Sequence, residues 1–423
     1  MDPASDSDSS TAVDLDVEFV RSQFVAFGDP EVAQWAHFEN AGGSYLPRQV
    51  TDRLHHLFTK AKVQPYSGWG PSKDAGEAMD RSKARIGATV NAAPGEIHLG
   101  PSTSQNTYVL AQALRAEMED GDEIIVTNQD HEANIGAWRR LADTGITVRE
   151  WSVEPDTGLL FVDDLAGLLN DRTKLVCVTH CSNIAATINP AADIVAMAHA
   201  ADARVVLDGV SWAPHAWVDT KALDVDFYLT SLYKTYGPHL GLLYTRPDHL
   251  ERITNQGHFF NANKPTYRLT PAGPAHAEVG AVEGILEFYD ALHQHHFGHL
   301  NGTDAERTER IFSLFPAQEE AVMAPVLDVL NAKDDVRVIG APVADRSVRA
   351  PTLAFHSNSV ASSAIVEKLL DHKVGASHGD FYAWRLMDAL GLDQAEGVVR
   401  LSMLAYNTLE ESTRAAQALD QLL

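Results

Sequence analysis

The chain has 423 residues, of which 45% are hydrophobic and 22% charged, the composition of an ordinary globular protein. This length exceeds what one hydrophobic core usually serves, so we expect a large and a small domain packed together. The formal net charge of −25 argues against nucleic acid and against an anionic membrane as partners, because both would repel the chain. A small-molecule ligand is compatible with this charge, since its pocket can be locally basic.

The amino terminus and the cysteines lead to two further expectations. Residues 1–16 carry five aspartates and no basic residue, a composition that does not fold by itself, and we predict a disordered acidic tail over residues 1–18. Neither a signal peptide nor a membrane-spanning stretch is recognisable, so we expect a cytoplasmic protein. Cys177 and Cys181 are too few for a disulfide framework or a complete zinc site and are predicted to be reduced, buried and free of metal.

From about residue 85 the chain alternates short apolar runs with helical patterns. The predicted strands are 123–127, 146–148, 174–178, 204–207, 227–229 and 241–244, and the predicted helices are 106–118, 191–201 and 277–296. Repeated strand, helix, strand units form a mainly parallel sheet covered by helices. We therefore predict an α/β fold whose large domain spans residues 19–300 and includes an N-terminal segment that packs on the small domain.

Residues 301–423 form the predicted smaller C-terminal α/β domain. Its strands are expected at 336–339, 352–355 and 398–401, and its helices at 364–372, 381–390 and 410–422. The helical pattern over 277–296 is expected to link this domain to the large one.

Parallel sheets bind ligands at the carboxyl ends of their strands, and four polar segments fall at such ends. The first, Gly100–Asn106, is a small-residue turn that opens a helix, whose free backbone N–H groups suit a phosphate. Ordinary capping by serine or threonine is the alternative there. The second is Asp208, which ends an apolar run. Its carboxylate could pair with a protonated ring nitrogen, or it could simply cap the following segment.

The other two segments contain Lys234 and His131. Lys234 follows the run 226–230 and is flanked by Ser231 and Tyr233, so it could form an imine with an aldehyde once burial lowers its pKa. A lysine at the surface is the alternative. His131 could lie flat on an aromatic ring, or its ring could be satisfied by hydrogen bonds near a helix start. Each signal is weak alone, and their order along one chain makes them specific.

In this order the segments resemble those of class V aminotransferases and cysteine desulfurases, which are fold-type-I pyridoxal-phosphate enzymes. The resemblance spans residues 35–415 and implies the fold-type-I architecture and bound pyridoxal 5'-phosphate. It rests on His37-Phe38-Glu39-Asn40-Ala41-Gly42-Gly43, the turn 102–104, Asp130-His131-Glu132-Ala133-Asn134, Thr179-His180-Cys181-Ser182-Asn183, Leu207-Asp208-Gly209, the segment 231–237 and Val399-Arg400-Leu401-Ser402-Met403-Leu404-Ala405-Tyr406-Asn407-Thr408.

The resemblance also implies roles for individual residues. Lys234 would hold the cofactor as a Schiff base and shuttle the proton at the substrate Cα, and Asp208 would pair with the pyridinium nitrogen. The other cofactor contacts that it implies are Thr103, Ser104, His131, Asn183, Ser211, Ser231 and Tyr233. Arg400 and Asn183 would clamp the substrate carboxylate, a role that suits a guanidinium, although a surface arginine on a strand is the alternative. The substrate site would also include Asn40, Ala41 and Gly42.

The segment 375–383 departs from the desulfurase pattern because it contains no cysteine. Desulfurases carry a nucleophilic cysteine on this loop, whose thiolate takes sulfur from the bound substrate as a persulfide. Cys177 and Cys181 match the strand and turn beneath the cofactor and do not obviously replace it. The chain is therefore most similar to a branch of desulfurase-like proteins that lack this cysteine, together with relatives such as isopenicillin N epimerase.

Three smaller departures concern cofactor contacts. Tyr233 stands where desulfurases have a histidine before the Schiff-base lysine, and Ser211 stands where they have a glutamine that touches the ring hydroxyl. The segment 272–274 reads Ala-Gly-Pro in place of a Gly-Thr-Pro turn whose threonine reaches the phosphate in the partner subunit. The resemblance implies a homodimer with a shared active site, and the segment 258–276 is the expected arm that reaches the partner.

The resemblance leaves several reactions open. Once an external aldimine has formed and the Cα proton has left, reprotonation on the cofactor gives transamination, reprotonation at Cα gives epimerisation, and loss of a β substituent gives C–S cleavage. We expect a class V aminotransferase that acts on an amino acid or related amine with a carboxylate, with a β-elimination lyase as second choice. A regulatory or binding protein on the same fold is the non-catalytic alternative. The retention of Lys234, Asp208, His131 and Arg400 argues against it.

Overall fold

The computed structural model describes residues 13–423 of the chain. Most of the predicted acidic tail, residues 1–12, lies outside this range. The prediction that the tail extends to residue 18 is wrong, because Asp16 caps the first helix and accepts a hydrogen bond from the backbone N–H of Phe19 at 2.9 Å. A carboxylate at a helix N-terminus satisfies a free N–H group and interacts favourably with the helix dipole.

Helices connect many of the strands. In chain order they are α1 Val17–Ser22, α2 Pro30–Ala33, α3 Arg48–Lys60, α4 Gly70–Ile86, α5 Thr103–Arg115, α6 Glu132–Arg139, α7 Val162–Leu168, α8 Ala191–Ala200, α9 Pro247–Leu250, α10 His276–Ala281, α11 Glu283–Phe297, α12 Asp304–Phe312, α13 Phe315–Asn331, α14 Ser362–Asp371, α15 Trp384–Ala389 and α16 Leu409–Leu422. Within residues 13–423, no helix is long and apolar enough to cross a membrane.

The strands form one large sheet and two smaller ones. They are β1 Ala36–His37, β2 Ile97–Gly100, β3 Glu123–Thr127, β4 Thr147–Trp151, β5 Thr173–Thr179, β6 Arg204–Asp208, β7 Phe227–Ser231, β8 Gly241–Thr245, β9 Val336–Val338, β10 Thr352–Ser357, β11 Val374–Gly375, β12 Ser377–Gly379 and β13 Val398–Ser402. The large sheet has seven strands in the order β2-β8-β7-β6-β5-β3-β4, and its pairs are parallel except those of β8. The predicted α/β fold with a mainly parallel sheet is confirmed.

The central strands of this sheet are apolar because cores lie on both of its faces. In β5, Val176 and Val178 belong to the core on one face, whereas Leu175 and Cys177 belong to the core on the other. Successive side chains of a strand point to opposite faces, so a strand buried on both sides reads as a continuous apolar run. This arrangement leaves the polar residues at the strand ends as the groups free for chemistry.

A second sheet of four antiparallel strands, in the order β12-β13-β10-β9, has its own core. Leu353, Phe355 and Leu401 are buried there against α13, α14 and α16. The N-terminal segment joins this core, since β1 pairs with β11 in parallel and Phe38 is fully buried among the same residues. The domain boundary between residues 300 and 301 stays a prediction.

Two predicted helices differ from the observed ones. The pattern over 277–296 forms two helices, α10 and α11, which are separated at Val282. The helix predicted at 381–390 begins only at Trp384, because Phe381 and Tyr382 have φ values of 48° and 61°. A right-handed helix cannot continue through the left-handed region, which is also costly for residues with a Cβ. Phe381 and Tyr382 therefore form a turn before α15.

Candidate active site

A cavity of about 270 Å³ lies at the carboxyl ends of β5, β6 and β7. Its walls are formed by Ser102, Thr103, Ser104, His131, Ala133, Thr179, Asn183, Asp208, Val210, Ser211, Ser231, Tyr233, Lys234 and His239. All nine cofactor contacts expected from the sequence are among these residues. They come together because parallel strands that are distant in sequence end at the same edge of the sheet.

One end of the cavity is built by the N-terminus of α5. Ser102 caps this helix and accepts a hydrogen bond from the backbone N–H of Gln105 at 3.2 Å, so ordinary capping does occur here. The hydroxyl groups of Thr103 and Ser231 lie 2.7 Å apart. Thr103 and Ser104 occupy the first turn, where backbone N–H groups lack helical partners and the helix dipole is positive. This end of the cavity therefore suits an anion such as a phosphate.

Lys234 supplies the amine of the cavity. It lies in a single turn of 3-10 helix directly after β7 and is only 7% exposed. Its side chain makes no hydrogen bond or ion pair with any residue among 13–423. Burial and the neighbouring Arg400 cation lower the pKa of Lys234 to about 8, although Asp208 acts in the opposite direction. A buried amine with a lowered pKa is a nucleophile and a base near neutral pH.

Asp208 supplies the carboxylate of the cavity at the end of β6. Its Oδ1 accepts a hydrogen bond from the backbone N–H of Val210 at 2.8 Å, so it does cap the following segment. Burial raises the pKa of Asp208 to about 6, and the Val210 N–H group and Lys234 partly oppose this rise. The carboxylate is therefore mostly charged at neutral pH and can pair with a cationic ring nitrogen.

His131 combines the two interpretations that the sequence left open. It is the N-cap of α6, where its Nδ1 accepts a hydrogen bond from the backbone N–H of Ala133 at 2.9 Å, and it also lines the cavity. Burial, together with the Lys234 and Arg400 cations, lowers the pKa of His131 to about 3. The imidazole is therefore uncharged at neutral pH, and its proton is on Nε2 because Nδ1 is an acceptor.

His239 is a cavity residue that sequence reasoning missed. Its ring is stacked on that of Tyr233, with centroids 4.5 Å apart and an interplanar angle of 4°. The only signal in the sequence is its position five residues after Lys234, beyond a Gly-Pro pair, and many histidines follow such turns without lining a site. The stacked pair forms a flat part of the cavity wall, because both residues line it.

The turn at Phe381 and Tyr382 was also missed. Asn183 donates a hydrogen bond from Nδ2 to the carbonyl of Phe381 at 3.0 Å, and the Tyr382 ring lies 5.1 Å from that of His131. Left-handed backbone costs roughly 1–2 kcal/mol per residue with a Cβ, so these contacts hold a strained turn beside the cavity. No local sequence pattern reveals it, because bulky residues adopt such φ values only under tertiary constraint.

Arg400 does not line the cavity and is instead paired with a carboxylate. Its Nη2 lies 2.7 Å from Oε1 of Glu39, and its Nη1 donates a long hydrogen bond of 3.4 Å to the carbonyl of Asn183. The Arg400 side chain is 4% exposed and that of Glu39 is 27% exposed. Sequence reasoning placed Arg400 on the substrate and did not foresee this partner, although Glu39 stands in the motif that contains Asn40.

The remaining predicted substrate residues lie next to Lys234. Asn40 and Ala41 line a small second pocket together with Lys234 and Ser402. The backbone N–H of Ala41 donates to the Ser402 hydroxyl at 2.7 Å, and Asn40 donates from Nδ2 to the Ser402 carbonyl at 2.8 Å. Gly42 lines neither pocket, and a Cβ at this position would lie 3.1 Å from Oε1 of Glu39. The substrate roles of these residues stay predictions.

Neither cysteine reaches the cavity. Cys177 and Cys181 are free and completely buried, in β5 and in the turn that follows it. Burial raises the pKa of both thiols, that of Cys181 to about 12. Thiolates, rather than thiols, act as nucleophiles. Since the chain contains no other cysteine, it offers no accessible thiolate to accept sulfur.

Comparisons with known proteins point to one family. The family model for aminotransferase class-V matches residues 36–297. The chain is 32% identical over 417 residues to the aminotransferase-like protein FGM3 of Gibberella zeae, covering 96% of this chain and 98% of that protein. It is 30% identical over 420 residues to the cysteine desulfurase-like protein ustD of Aspergillus flavus, covering 97% and 91%. The apo structure of cysteine desulfurase from Thermococcus onnurineus NA1 has the same fold, with a TM-score of 0.81, 23% identity and coverage of 97% and 99%.

The chain therefore belongs to the aminotransferase class-V family of fold-type-I pyridoxal-phosphate enzymes. Within that family it is similar to proteins described as aminotransferase-like and as cysteine desulfurase-like. The cavity fits the family's cofactor, because an unpartnered buried amine suits an aldehyde, a buried carboxylate suits a ring nitrogen, and a helix N-terminus with two hydroxyls suits a phosphate. Among residues 13–423, Oδ1 of Asn183 is buried without a hydrogen-bond partner, which leaves one acceptor for a bound group.

Proposed function

We propose that this chain is a pyridoxal-phosphate-dependent aminotransferase that acts on an amino acid or a related amine bearing a carboxylate. The observation that carries the proposal is the buried amine of Lys234. It has no partner in the described part of the chain and a pKa of about 8, and its cavity also holds the carboxylate of Asp208. A lysine in this state can form a covalent link to an aldehyde and then serve as a base.

The cavity residues would share the binding of the cofactor. Thr103, Ser104 and Ser231 would hold its phosphate at the N-terminus of α5, Asp208 would pair with its ring nitrogen, and His131 would lie against the ring. The remaining proposed contacts are Asn183, Ser211 and Tyr233. When bound, pyridoxal phosphate supplies an aldehyde for the covalent link and an electron sink for the charge left at the substrate Cα.

Lys234 would move the proton of the reaction. With a pKa of about 8 it can take the proton from the substrate Cα and return it to a different carbon near neutral pH. Asp208 and Glu39 raise the pKa of this amine and so partly offset the lowering that burial and the Arg400 cation cause. His131 is unsuited to act as a second base, because its pKa is about 3 and its Nδ1 is engaged by Ala133. A single base can move a proton between two carbons on its own side of the substrate. Epimerisation needs a proton to be removed from one face of the substrate Cα and delivered to the other, so a single base favours the proton shift.

A second candidate is β-elimination from a sulfur-bearing amino acid. It is favoured by the similarity to a cysteine desulfurase-like protein, and it too would need only Lys234 as its base. Sulfur transfer through a persulfide is disfavoured, since both cysteines are buried and line no part of the cavity. The two candidates differ in the fate of the amino group. A transferase passes the amino group to an acceptor 2-oxo acid, whereas β-elimination releases the amino group as ammonia.

We also propose that the chain acts as a homodimer with a shared site. The segment 258–276 carries Phe259, Phe260 and Tyr267, whose exposed fractions are 87%, 66% and 44%. Aromatic surface of this kind is typical of protein interfaces. Sedimentation equilibrium should give twice the mass of the chain, and Phe259→Ser with Phe260→Ser should shift the species towards half that mass. A monomer in the unchanged protein would refute the proposal.

The covalent link is tested by borohydride reduction of the purified protein in the presence of pyridoxal phosphate. Reduction fixes the cofactor to the lysine that holds it, and we expect this label on the peptide that contains Lys234. We expect Lys234→Ala to lose both the label and the activity. Lys174, an ordinary lysine in β5, provides the matched control, since Lys174→Ala should keep both. A label that stays in Lys234→Ala, or full activity in that variant, would show the central assignment to be wrong.

The reaction is tested by offering amino donors with and without an acceptor 2-oxo acid. Amino-group transfer predicts sustained turnover only with the acceptor, and no ammonia. Ammonia release from cysteine or cystine without any acceptor would instead establish the elimination and reject the transferase.

A further inference from the structure

Arg400, to which the family resemblance assigns the substrate carboxylate, is instead paired with Glu39. Nη2 of Arg400 lies 2.7 Å from Oε1 of Glu39, within the distance of a direct charge-assisted hydrogen bond. The guanidinium is also covered on one face, since its central carbon lies 3.8 Å from the centroid of the Phe381 ring. As a result, Arg400 borders neither of the pockets that contain Lys234.

The backbone of Glu39 is fixed, while its side chain is comparatively free. Glu39 forms a bridge with Ser402, two residues beyond Arg400, which anchors the main chain beside β13. The side chain of Glu39 is 27% exposed, against 4% for Arg400. A rotation of Glu39 about its own side-chain bonds would separate it from Arg400 without requiring β13 to move. Arg400 itself has little room to move.

Several polar atoms around this pair lack partners. Oε2 of Glu39, Nε of Arg400 and Oδ1 of Asn183 are all buried and make no hydrogen bond with the described residues. Unsatisfied buried groups of this kind are rare and costly, and they commonly mark a place where another molecule binds. Nε and Nη2 of a guanidinium together form the edge that binds a carboxylate through two parallel hydrogen bonds. Glu39 uses only one of these two donors.

We propose that Glu39 is a latch that holds Arg400 until the carboxylate of the substrate displaces it. This inference rests on the proposed function together with the role that the family resemblance implies for Arg400, the binding of that carboxylate. Without substrate, Glu39 keeps a buried guanidinium paired, because an unpaired buried charge would be strongly destabilising. With substrate, a bidentate carboxylate satisfies both Nε and Nη2, which the single contact to Glu39 does not. Glu39 thus sets the affinity for the substrate and acts through Arg400 as a positioning residue.

The latch has a direct consequence for binding. A site that is open in only one molecule of ten binds its ligand about ten times more weakly than an open site. Replacing Glu39 by glutamine keeps the size of the side chain and removes the charge that competes with the ligand. We therefore expect Glu39→Gln to bind a simple carboxylate about tenfold more tightly and to lower KM.

The test uses propionate, a carboxylate without an amine, titrated calorimetrically into the protein saturated with pyridoxal phosphate. The matched control is Glu123→Gln, at the end of β3 that lies away from the cavity. This variant removes a carboxylate whose Oε2 lies 3.3 Å from Nη1 of Arg149, and it should not change the affinity for propionate. Thermal unfolding of both variants checks that they are folded. An unchanged or weaker dissociation constant for propionate in folded Glu39→Gln would overturn the latch.

A double-mutant cycle separates the effect of Glu39→Gln on propionate binding from its effect on the stability of the fold. Arg400→Gln should abolish propionate binding, and adding Glu39→Gln to that variant should restore none of it, because the latch acts only through Arg400. A gain of affinity in the double variant would overturn the proposal. The two proposals also fail separately. Unchanged propionate binding in Glu39→Gln with Lys234 labelled by borohydride rejects the latch alone, whereas an unlabelled Lys234 rejects the proposed function.

Discussion

The lowered pKa of Lys234 is the property on which the proposed chemistry depends, and it can be measured without any substrate. Only the neutral amine reacts with an aldehyde, so the rate of reductive methylation of Lys234 in cofactor-free protein follows its neutral fraction. The pKa is lowered from 10.5 to about 8. At any pH well below 8, the neutral fraction is then roughly 300 times that of an ordinary lysine, since each pKa unit corresponds to a factor of ten.

The sign of the pH dependence follows from the charge of the amine. Below its pKa Lys234 is protonated and unreactive, so its methylation should rise with pH, reach half of its maximum at about pH 8 and then level off. Mass spectrometry of the Lys234 peptide measures this, with the 68% exposed side chain of Lys73 as the internal reference for the reagent. A midpoint near 10.5 would refute the argument from burial.

Two variants separate the causes of this lowering. Arg400→Gln removes a cation that disfavours the charged amine, so the midpoint for Lys234 should move up. Asp208→Asn removes an anion that favours it, so the midpoint should move down. Shifts in the same direction for both variants would show that a general loosening of the cavity, and not these two charges, controls the amine.

Three further predictions concern the walls of the cavity and the cysteines. Gly241→Ala should lower the free energy of unfolding by about 1–3 kcal/mol and weaken the binding of pyridoxal phosphate, because a Cβ there would lie 2.4 Å from the backbone nitrogen of Thr103; thermal unfolding and cofactor titration check this, and an unchanged melting temperature would contradict it. Thr103→Val should raise the dissociation constant of pyridoxal phosphate at least tenfold, since a hydrogen bond to a charged group contributes about 1.5–3 kcal/mol; equal affinity would remove Thr103 from the phosphate site. Cys177→Ala combined with Cys181→Ala should keep kcat within a few-fold, because neither buried thiol lines the cavity, and a folded but inactive double variant would show that sulfur takes part after all.

The fold was largely predictable because its signals are local. The apolar runs at β3, β5, β6 and β7 mark strands that are buried on both faces, and such runs need no knowledge of their neighbours to be recognised. The boundaries were less predictable where tertiary contacts override local preference. Phe381 and Tyr382 belong to a helical pattern in the sequence, yet their φ values of 48° and 61° exclude them from α15.

The chemical groups that the cavity holds could be predicted from the sequence alone. Lys234, Asp208, His131 and Thr103 follow strands or open helices at positions that a parallel sheet must bring to one edge, so their proximity follows from topology. The surroundings of those groups depend on long-range packing that the sequence does not reveal. The depth of burial that lowers the pKa of Lys234, the stacking of His239 on Tyr233 and the pairing of Glu39 with Arg400 all join residues whose contact has no local pattern. Burial and charge pairing depend on every element packed around a side chain, and no segment of the sequence contains that information alone.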